Sequence, residues 1–547
     1  FISGDENGSV NEVLSAFASA LGSSQVFLLP SEGQCAARAC DLLGIKAQLG
    51  YDLERSDYVL SIGANLLETW GTVVRNRRLF GASHPHPREG VPPGTTLVYA
   101  GPVQNNTAVV ADAWLPIPPG TGILLALCLT NIFISRGKTL PASDFGPFAQ
   151  MTADYDLDTV AKATGLPRET LAGVADALLA AKAPLVIVGG EFNQGAGAAP
   201  VMAGFAVNAL LGNINAPGGL RLLPEPGPLL LNAWSRRDLY ANDLAAWMGG
   251  GKRENPPAVL VLHEANPLFA LPDPGAAAAF LKDVPFKVAF SSFLDETAGN
   301  CDLVLPIPMG FERMDDVCNP YGCGTGIYCA TLPVARPGAD ARFTADVLLF
   351  LARQMDLNLG LESYEDLIRA RAVRMRANFD VLAGGFPVLN EAAVSFASCS
   401  LRPDILSRAA AGCLDAPLLS LAVWSKLNLG TPSTGIPPFN TKTLRSSELD
   451  GGVMSALLNS ATAKARGIRD GRLISVGAGG KRLRARARVY EGIADNVLAL
   501  CLGYGHTAFD GFSRDKGANA MELLRATAEY ETGLTVWHRT GVDVSNA

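Results

Sequence analysis

Two short Ala-Asn loops follow apolar stretches of the sequence and present an amide side chain to any nearby ligand. Asn65 ends the run that begins at Asp57, and Asn266 ends the run that begins at Val259. A side-chain amide both donates and accepts hydrogen bonds. In open α/β sheets, ligands bind beyond the carboxyl ends of the strands. The two loops therefore predict a shared ligand cleft, although duplication of a stable fold alone also explains them.

The loop Met309–Cys329 concentrates reactive and charged side chains. It contains Glu312, Arg313, Asp315, Asp316, Cys318, Cys323 and Cys329. The gaps between its cysteines fit neither a zinc ribbon nor a ferredoxin cluster. The chain has ten cysteines and no Cys-x-x-Cys pair. A disulfide or buried free thiols are therefore favoured over a metal cluster in this loop.

The segments around the two asparagine loops form an internal repeat. Leu97–Gly120 aligns with Lys287–Gly310 over 24 positions without a gap, and nine positions are identical. Each copy ends in Leu-Pro-Ile-Pro and follows an apolar run, an Ala-Asn loop and a helical segment. Short apolar runs separated by helices are typical of buried parallel strands. The repeat predicts two related, doubly wound α/β domains that face a central cleft.

Composition narrows the class of protein. With 547 residues, 48% of them hydrophobic, the chain is long enough for three domains with large cores. The net charge of −7 argues against nucleic acid as a partner. No apolar run reaches the length of about 20 residues that a membrane span needs. The chain opens at Phe1 without an initiator Met, so we expect a further N-terminal segment in the natural protein.

The last third of the chain changes character. From about Leu418 the predicted segments become short and rich in β-strands, with turns at Gly471, Gly477–Gly480 and Gly492. In Lys481–Tyr490, arginine alternates with apolar residues, so four arginines share one face of a predicted strand. This pattern predicts a C-terminal β-barrel, and its arginine face is either solvated or meets an anionic partner. Gly195–Pro200 nearly matches a dinucleotide loop, but Pro200 replaces the last glycine, which excludes an NAD-dependent dehydrogenase.

Seven blocks, in this order, resemble the molybdopterin oxidoreductase family of the dimethyl-sulfoxide-reductase type. They are Asp57–Asn65, Ala111–Thr121, Ala216–Gly219, Ala265–Asp273, Glu296–Pro306, Ala463–Gly471 and Gly503–Asn519. The resemblance covers nearly the whole chain. It implies a first α/β domain over residues 24–225 and a second over residues 1–23 and 226–414. A C-terminal β-barrel over residues 415–547 would close a cleft for two pterins.

The resemblance also implies the site residues. This chain keeps polar residues at positions of the pterin pocket, namely Asn65, Asn266, Glu296, Thr297, His506 and Asn519. In catalytic members a cysteine, serine or selenocysteine binds molybdenum or tungsten, and Cys35 lies where a cysteine ligand would fall. The alternative for Cys35 is a thiol at a helix start that binds nothing.

Three departures from the family pattern argue against a bound cofactor. The iron–sulfur cysteine motif is missing from the sequence. The family's Asp-Pro-Arg is replaced by Gly101-Pro102-Val103, and the aspartate of Pro-Gly-Thr-Asp is replaced by Gly122. That aspartate suits the guanine edge, and losing a charged hydrogen-bond partner costs on the order of 2–3 kcal/mol.

We therefore expect a non-catalytic scaffold subunit without its own cofactor, in a membrane-associated menaquinone reductase complex. The resemblance is closest to the cofactor-less subunits of such complexes, with those of alternative complex III as the competitor. It implies three partners: an iron–sulfur ferredoxin-like subunit, a multihaem cytochrome c and an integral membrane quinone-binding subunit. The expected location is the periplasmic face of the inner membrane. The alternative is a catalytic oxidoreductase with molybdopterin guanine dinucleotide and Mo or W on Cys35.

Overall fold

The computed structural model describes residues 1–84, 94–190, 197–250, 256–338, 340–414, 417–429, 443–537 and 540–547. The first sheet contains four parallel strands, which are neighbours in the order Ala113–Pro116, Thr96–Gly101, Tyr58–Ile62 and Pro184–Val188. Tyr58–Ile62, Thr96–Gly101 and Pro184–Val188 are short and buried, as parallel strands covered by helices are, whereas the edge strand Ala113–Pro116 is largely exposed. Asn65 follows Tyr58–Ile62 at its carboxyl end.

The second sheet repeats this arrangement. Its five parallel strands are neighbours in the order Leu303–Pro306, Phe286–Ser291, Val259–His263, Ile2–Ser3 and Phe27–Leu28. The three strands of the sequence repeat occupy the same places in both sheets. The predicted class, two related α/β units with a C-terminal barrel-like sheet, is confirmed.

One strand lies outside its predicted unit. The boundary at residue 24 places Phe27–Leu28 in the first α/β domain, but this strand pairs with Ile2–Ser3 at the edge of the second sheet. The prediction is wrong for this strand. The apolar run is too short to reveal its neighbour, because either sheet could take it as an edge.

Helices cover the sheets and connect them. The longest have 14 residues, and the described ranges contain no helix with the length and hydropathy of a membrane span. The predicted helix Thr159–Lys182 is split in two, since Gly165 takes a left-handed conformation and Pro167 follows it. The helices are Val10–Ala20, Glu32–Leu42, Val73–Ser83, Asn106–Val110, Gly122–Ser135, Phe145–Thr152, Leu157–Thr164, Arg168–Ala180, Ala198–Leu211, Arg236–Tyr240, Leu244–Gly249, Pro267–Ala270, Pro274–Asp283, Thr344–Gln354, Tyr364–Arg374, Phe379–Ala383, Pro403–Leu414 and Ser460–Ala465.

Two small antiparallel sheets complete the α/β part. Gln48–Tyr51 pairs with Leu220–Leu223. Gly326–Thr331 lies between Asp315–Cys318 and Val388–Asn390, so the cysteine loop forms a three-stranded sheet.

The C-terminal sheet is nearly closed. Its strands follow the order Thr540–Gly541, Ser420–Trp424, Val497–Cys501, Val453–Leu458, Lys481–Val489, Leu473–Ala478 and Asp543–Asn546, with Leu449–Asp450 paired to Val453–Leu458. As predicted from the alternating sequence, Leu483, Ala485 and Ala487 face the core, and the arginines between them face outward.

The barrel-like sheet is joined to the first sheet by backbone bonds. Gln104 donates its N–H to Gly492, and Ala494 donates to Pro102, at 2.7 and 2.9 Å. Val103, where the family has arginine, is 3% exposed and packs into the core of the barrel. Val103 therefore makes an apolar contact between the first α/β unit and the barrel.

Candidate functional site

A first polar cluster (Asn65, Glu68 and Thr107) lies at the carboxyl end of the first sheet. The Thr107 hydroxyl donates to Oδ1 of Asn65 at 2.6 Å and accepts the N–H of Leu67 at 3.0 Å. The Asn65 amide donates to the Glu68 carboxylate at 3.3 Å. All three side chains are buried. Asn65 therefore fixes the conformation of the loop, and its amide holds the Glu68 carboxylate beside it.

The second cluster (Asn266, Glu296, Thr297 and His506) repeats this arrangement in the second sheet. Thr297 donates to Oδ1 of Asn266 at 2.7 Å and accepts the N–H of Leu268 at 3.2 Å. Asn266 donates to the Glu296 carboxylate at 2.7 Å. The asparagine–threonine pair is therefore a structural element of the repeat, whatever each half binds.

The carboxylates of the two clusters come from different positions of the repeat. In the first half the acid is Glu68, whose counterpart in the second half is Phe269. In the second half it is Glu296, whose counterpart in the first is Asn106. Each half therefore keeps one acid beside its asparagine, which the strict alignment of motifs does not reveal for Glu68.

Glu296 fastens the C-terminal domain to the second sheet. Its carboxylate accepts the backbone N–H groups of Thr507 and Ala508 at 2.8 and 3.1 Å, and lies 3.0 Å from Nδ1 of His506. Burial opposes the charge, but the hydrogen bonds from His506, Ala508 and Asn266 outweigh it and lower the pKa of Glu296 to about 2. We call this set of contacts the Glu296 clasp.

His506 and Asn519 support the same clasp. The His506 ring stacks on Phe269 with the ring centres 3.7 Å apart, and the side chain is buried. The Asn519 amide donates to the Phe269 carbonyl at 2.9 Å, and its oxygen accepts the N–H of Met521 at 3.1 Å. Both predicted residues therefore make contacts within the protein that hold the C-terminal loops in place.

A cavity of about 380 Å³ lies beside the second cluster. Asp295, Glu296 and Glu522 line it, and its described lining contains no lysine or arginine. Burial and the neighbouring Glu296 raise the pKa of Asp295 to about 6. This cavity offers acceptors for N–H groups but no cation for the pyrophosphate of a pterin dinucleotide.

A larger cavity of about 1120 Å³ separates the first cluster from the barrel. Its charged lining includes four cations and three carboxylates: Arg77, Lys426, Arg445, Arg488, Glu68, Glu448 and Asp470. Lys426 is paired with Glu448. The cavity is large enough for a dinucleotide and has cations for phosphate groups, although its carboxylates oppose them.

Cys35 lies inside the helix Glu32–Leu42 and is 5% exposed. Burial raises the pKa of its thiol well above the ordinary value, and Glu32 and Glu529 raise it further. A metal ligand must be a thiolate. Without a bound cation, the surroundings of Cys35 favour the neutral thiol, because the site is buried and Glu32 and Glu529 oppose a second negative charge. Among the described residues, no cluster has the composition of a metal site.

A hairpin from the C-terminal domain covers the helix of Cys35. We call it the closing hairpin; its strands are Thr527–Ala528 and Thr535–Val536. Arg38 of the Cys35 helix donates to the Thr532 carbonyl at 2.9 Å. Thr535 donates to Asp243 through its hydroxyl at 3.1 Å. The hairpin thereby contacts both the Cys35 helix, near the start of the sequence, and Asp243, near its middle.

The closing hairpin also occupies an anion position. Glu529 accepts the N–H groups of Ala198 and Ala199 at 2.8 and 3.1 Å, at the N-terminus of the helix Ala198–Leu211. Helix N-termini after parallel strands are where α/β folds bind phosphate groups. A Cβ on Gly197 would lie 2.3 Å from the Glu529 carboxylate, so only glycine allows this approach. Residues 191–196 of the near-dinucleotide loop lie outside the described ranges.

Gly122 begins the helix Gly122–Ser135, where the family has aspartate. A Cβ at this position would lie 2.6 Å from Cγ2 of Ile62, which is 2% exposed. Ile62 therefore fills the space that an aspartate side chain would cross. The packing around residue 122 therefore suits glycine better than aspartate.

The cysteine loop holds free thiols and an ion-pair network. No disulfide joins Cys318, Cys323 or Cys329. Tyr328 pairs with Cys318 across the strands, which places Cys318 and Cys329 on opposite faces of the sheet. A disulfide between these two is therefore excluded by the pleat, and burial raises the pKa of all three thiols.

Arg313 organises the charges of this loop. Its guanidinium donates to both oxygens of Glu264 at 3.1 and 2.9 Å and to Asp315 at 2.9 Å. It also lies 4.6 Å from the centre of the Phe343 ring. Asp316 accepts bonds from Ser9 and from two buried tyrosines. These acids are used to fix the loop, and they do not form an open site.

Comparison with known proteins identifies the fold. The family model for molybdopterin oxidoreductases matches residues 8–344, and that for the molydopterin dinucleotide binding domain matches residues 439–535. The chain belongs to the molybdopterin oxidoreductase family. The family predicted from the seven sequence blocks is confirmed.

Individual members differ widely in likeness to this chain. The menaquinone reductase, molybdopterin-binding-like subunit of Nitratidesulfovibrio vulgaris is 48% identical over 100% of this chain and 79% of its own length. The periplasmic nitrate reductase of Desulfovibrio desulfuricans is 24% identical over 58% of this chain and 47% of its own length. The acetylene hydratase from Pelobacter acetylenicus superimposes with a TM-score of 0.76, at 17% identity, over 100% of this chain and 86% of that one; this likeness shows the fold.

The structure distributes the predicted site residues of this family member over three places. Asn65 lies in the first cluster. Asn266, Glu296, Thr297 and His506 form the second, with Asn519 beside them, and Cys35 lies under the closing hairpin. Sequence reasoning missed Glu68 and Glu529. The repeat alignment pairs Glu68 with Phe269 and so gives no sign of this acid, and nothing in the sequence connects Glu529 to residues 198 and 199.

Proposed function

We propose that this family member is a non-catalytic scaffold subunit of a membrane-associated menaquinone reductase complex. It would hold an iron–sulfur ferredoxin-like subunit and a multihaem cytochrome c beside an integral membrane quinone-binding subunit, on the periplasmic face. The observation that carries the proposal is the closing hairpin, which contacts the Cys35 helix through Arg38 and places the Glu529 carboxylate on the first N–H groups of the helix Ala198–Leu211. The full-length likeness to a molybdopterin-binding-like subunit supports it.

The scaffold needs no cofactor in this chain. Cys35 is surrounded by acids that oppose a thiolate, and Ile62 fills the space of the guanine-side aspartate. The cavity at the second cluster lacks described cations. The polar residues that the chain shares with its family are instead used in the two clusters and in the Glu296 clasp.

A catalytic molybdenum or tungsten oxidoreductase is the second candidate. The cavity of about 1120 Å³ with four lining cations favours it, because such a space suits a pterin dinucleotide. In that case the cavity residues would bind the cofactor's phosphates, and Cys35 would be the metal ligand. The metal would supply the redox chemistry.

The deciding measurement is the molybdenum, tungsten and released-pterin content of the complex purified with its partner subunits. Absence of both metals and of pterin, in a preparation that transfers electrons to menaquinone, is the expected result. Near-stoichiometric metal and pterin would refute the scaffold. Cys35→Ala provides a second readout: a scaffold keeps its electron transfer, whereas the enzyme loses its activity. Ala39, also buried in the same helix, offers the control Ala39→Gly for general loosening of the helix.

A further inference from the structure

Apolar side chains are exposed at the amino-terminal end of the second sheet. Val259, Phe286 and Leu303 are 53, 43 and 41% exposed. The strand register pairs Phe286 with Val259, and it pairs Val288 with Leu303. Side chains two residues apart share one face of a strand, so the three exposed side chains lie on the same face of the sheet. A parallel sheet is ordinarily covered on both faces, so this exposure is unusual for the fold.

The helix Thr344–Gln354 continues this apolar surface. Its Val347 packs against the apolar cluster around Val288, on the same face of the sheet. Phe350 and Leu351 follow three and four residues later, so they lie on the same side of the helix as Val347. They are 52 and 40% exposed.

The exposed side chains of the sheet and of the helix lie at the same end. Nδ1 of His263, near the carboxyl end of its strand, is 2.8 Å from Oγ1 of Thr344, where the helix begins. From this point Leu351 is about 10 Å along the helix, and Val259 is about 13 Å back along the strand. Contiguous apolar surface of this kind marks interaction sites. We call it the open apolar face; it contains Val259, Phe286, Leu303, Phe350 and Leu351.

The internal repeat provides a counterpart of this helix in the first half. The helix Gly122–Ser135 follows the corresponding strand of the repeat, and its first residue lies against Ile62. Ile62 corresponds to His263, against which Thr344 begins the other helix. Gly122 and Thr344 are therefore equivalent positions.

Equivalent helix positions are buried in the first half and exposed in the second. Six and seven residues after the equivalent helix starts, the first half has Cys128 and Leu129, and the second half has Phe350 and Leu351. Cys128 and Leu129 are fully buried. In the first half a further layer of helices packs against Gly122–Ser135 and belongs to the same apolar core. This layer consists of Phe145–Thr152, Leu157–Thr164 and Arg168–Ala180.

The second half lacks this layer within the described ranges. Its next helix, Tyr364–Arg374, packs with Leu348 and Leu349 on another side of Thr344–Gln354. The open apolar face therefore stays uncovered by the described residues. The repeat thus shows what closes this face in one half and is missing from the other.

We propose that the open apolar face is the docking surface for an amphipathic helix of a partner subunit. The occupant follows from the first half, where amphipathic helices cover the equivalent surface. Arg168–Ala180 shows the pattern, because its buried residues have helical spacing: Leu171, Val174, Ala175 and Leu178. A partner helix with aliphatic residues at this spacing buries Phe350 and Leu351 in the same way. The existence of a partner subunit rests on the proposed function.

The test is the double variant Phe350→Glu/Leu351→Lys in the intact complex. Both side chains are exposed, both replacements suit a helix, and together they leave the net charge unchanged. We expect the association constant with the partner subunits to fall roughly tenfold or more, because two apolar contacts are lost. The same factor should appear at about 0.1 and about 0.5 M salt, since salt screens charges and not apolar contacts. Val74→Glu, a change of another exposed apolar helix residue, is the control and should alter association little.

Photo-cross-linking identifies the occupant. Benzoylphenylalanine in place of Phe286 or Phe350 inserts, when irradiated, into a C–H bond of whatever covers it. Both positions should cross-link to one helix of a partner subunit in the purified complex. The same group in place of Val74 should not reach that helix.

Four outcomes would overturn the inference. They are unchanged association of the double variant, cross-links only within the chain, cross-links between two copies of the chain together with a dimer in light scattering, and a wild-type chain that purifies without partner subunits. The metal and pterin content of the same preparation decides the proposed function separately. A complex that contains both, and that the double variant weakens, would keep this inference and refute the non-catalytic role.

Discussion

Replacing Glu296 by glutamine tests whether one carboxylate holds the C-terminal loops on the second sheet. The side chain is 10% exposed and accepts four bonds, from Asn266, Thr507, Ala508 and His506. Glutamine keeps the shape and one acceptor oxygen but loses the charge. Hydrogen bonds to a charged group contribute about 1.5–3 kcal/mol, against about 1 kcal/mol for neutral pairs. We therefore expect opening of the Glu296 clasp to become easier by about 2 kcal/mol.

Hydrogen exchange measures this opening without requiring the whole chain to unfold in one step. The amides of Thr507 and Ala508 donate to Glu296, so their exchange reports the clasp itself. A change of about 2 kcal/mol corresponds to roughly 30-fold faster exchange. Glu522→Gln is the matched control, because Glu522 lines the same cavity but is exposed. Exchange within threefold of wild type in the Glu296 variant would refute the reasoning.

The same carboxylate predicts an acid limit for the clasp. The pKa of Glu296 is lowered to about 2 in the folded chain, against 4.5 without the fold. A carboxyl with a lowered pKa stabilises the folded state above its unfolded pKa, and the stabilisation is lost as the pH falls. Exchange of the Thr507 and Ala508 amides, corrected for intrinsic rates, should therefore stay protected down to about pH 4.5 and lose protection between there and pH 2.

Three further predictions follow from buried groups. Glu529→Gln should weaken the N-terminus of the helix Ala198–Leu211 by about 1 kcal/mol, seen as faster exchange of its first amides, and unchanged rates would contradict the capping role. Burial lowers the pKa of His263 to about 4, so stability should fall by at most about 3 kcal/mol between pH 6.5 and 4. His263→Gln should remove that part of the slope in thermal unfolding, and an unaltered slope would refute it. Gly122→Asp should destabilise the chain by about 1–3 kcal/mol through overlap with Ile62, and it should cost less when measured in an Ile62→Ala background, where the overlapping atoms are gone. A neutral Gly122→Asp would show that the helix start can move.

The repeat made much of the fold predictable. Strict apolar runs and the shared Leu-Pro-Ile-Pro ends placed the three repeat strands correctly in both sheets. Alternation in Lys481–Tyr490 predicted which side of the barrel strand is buried. These signals are local. Whether one face of a strand or the whole strand is buried can be predicted from the alternation or continuity of apolar residues within the strand itself.

The site was less predictable, because its contacts connect residues far apart in the chain. The motifs indicated Asn266, Glu296 and His506, but their direct bonding to one another required the structure. The pKa of the Cys35 thiol is raised by burial and in part by the charge of Glu529, which no periodicity or motif relates to it. Phe27–Leu28 was assigned to the wrong unit for a similar reason: an edge strand of two residues has too little pattern to select its sheet.

The closing hairpin has a consequence for how the chain is made. Arg38 reaches its acceptor, the Thr532 carbonyl, across 494 positions of sequence. During synthesis at about 5–20 residues per second, the Cys35 helix would wait tens of seconds for this cover. Contacts of such long range form late and slowly. On the emerging chain, the surface of the Cys35 helix that the hairpin covers therefore stays open until residues 527–536 have been synthesised, and this interval ends when the hairpin docks.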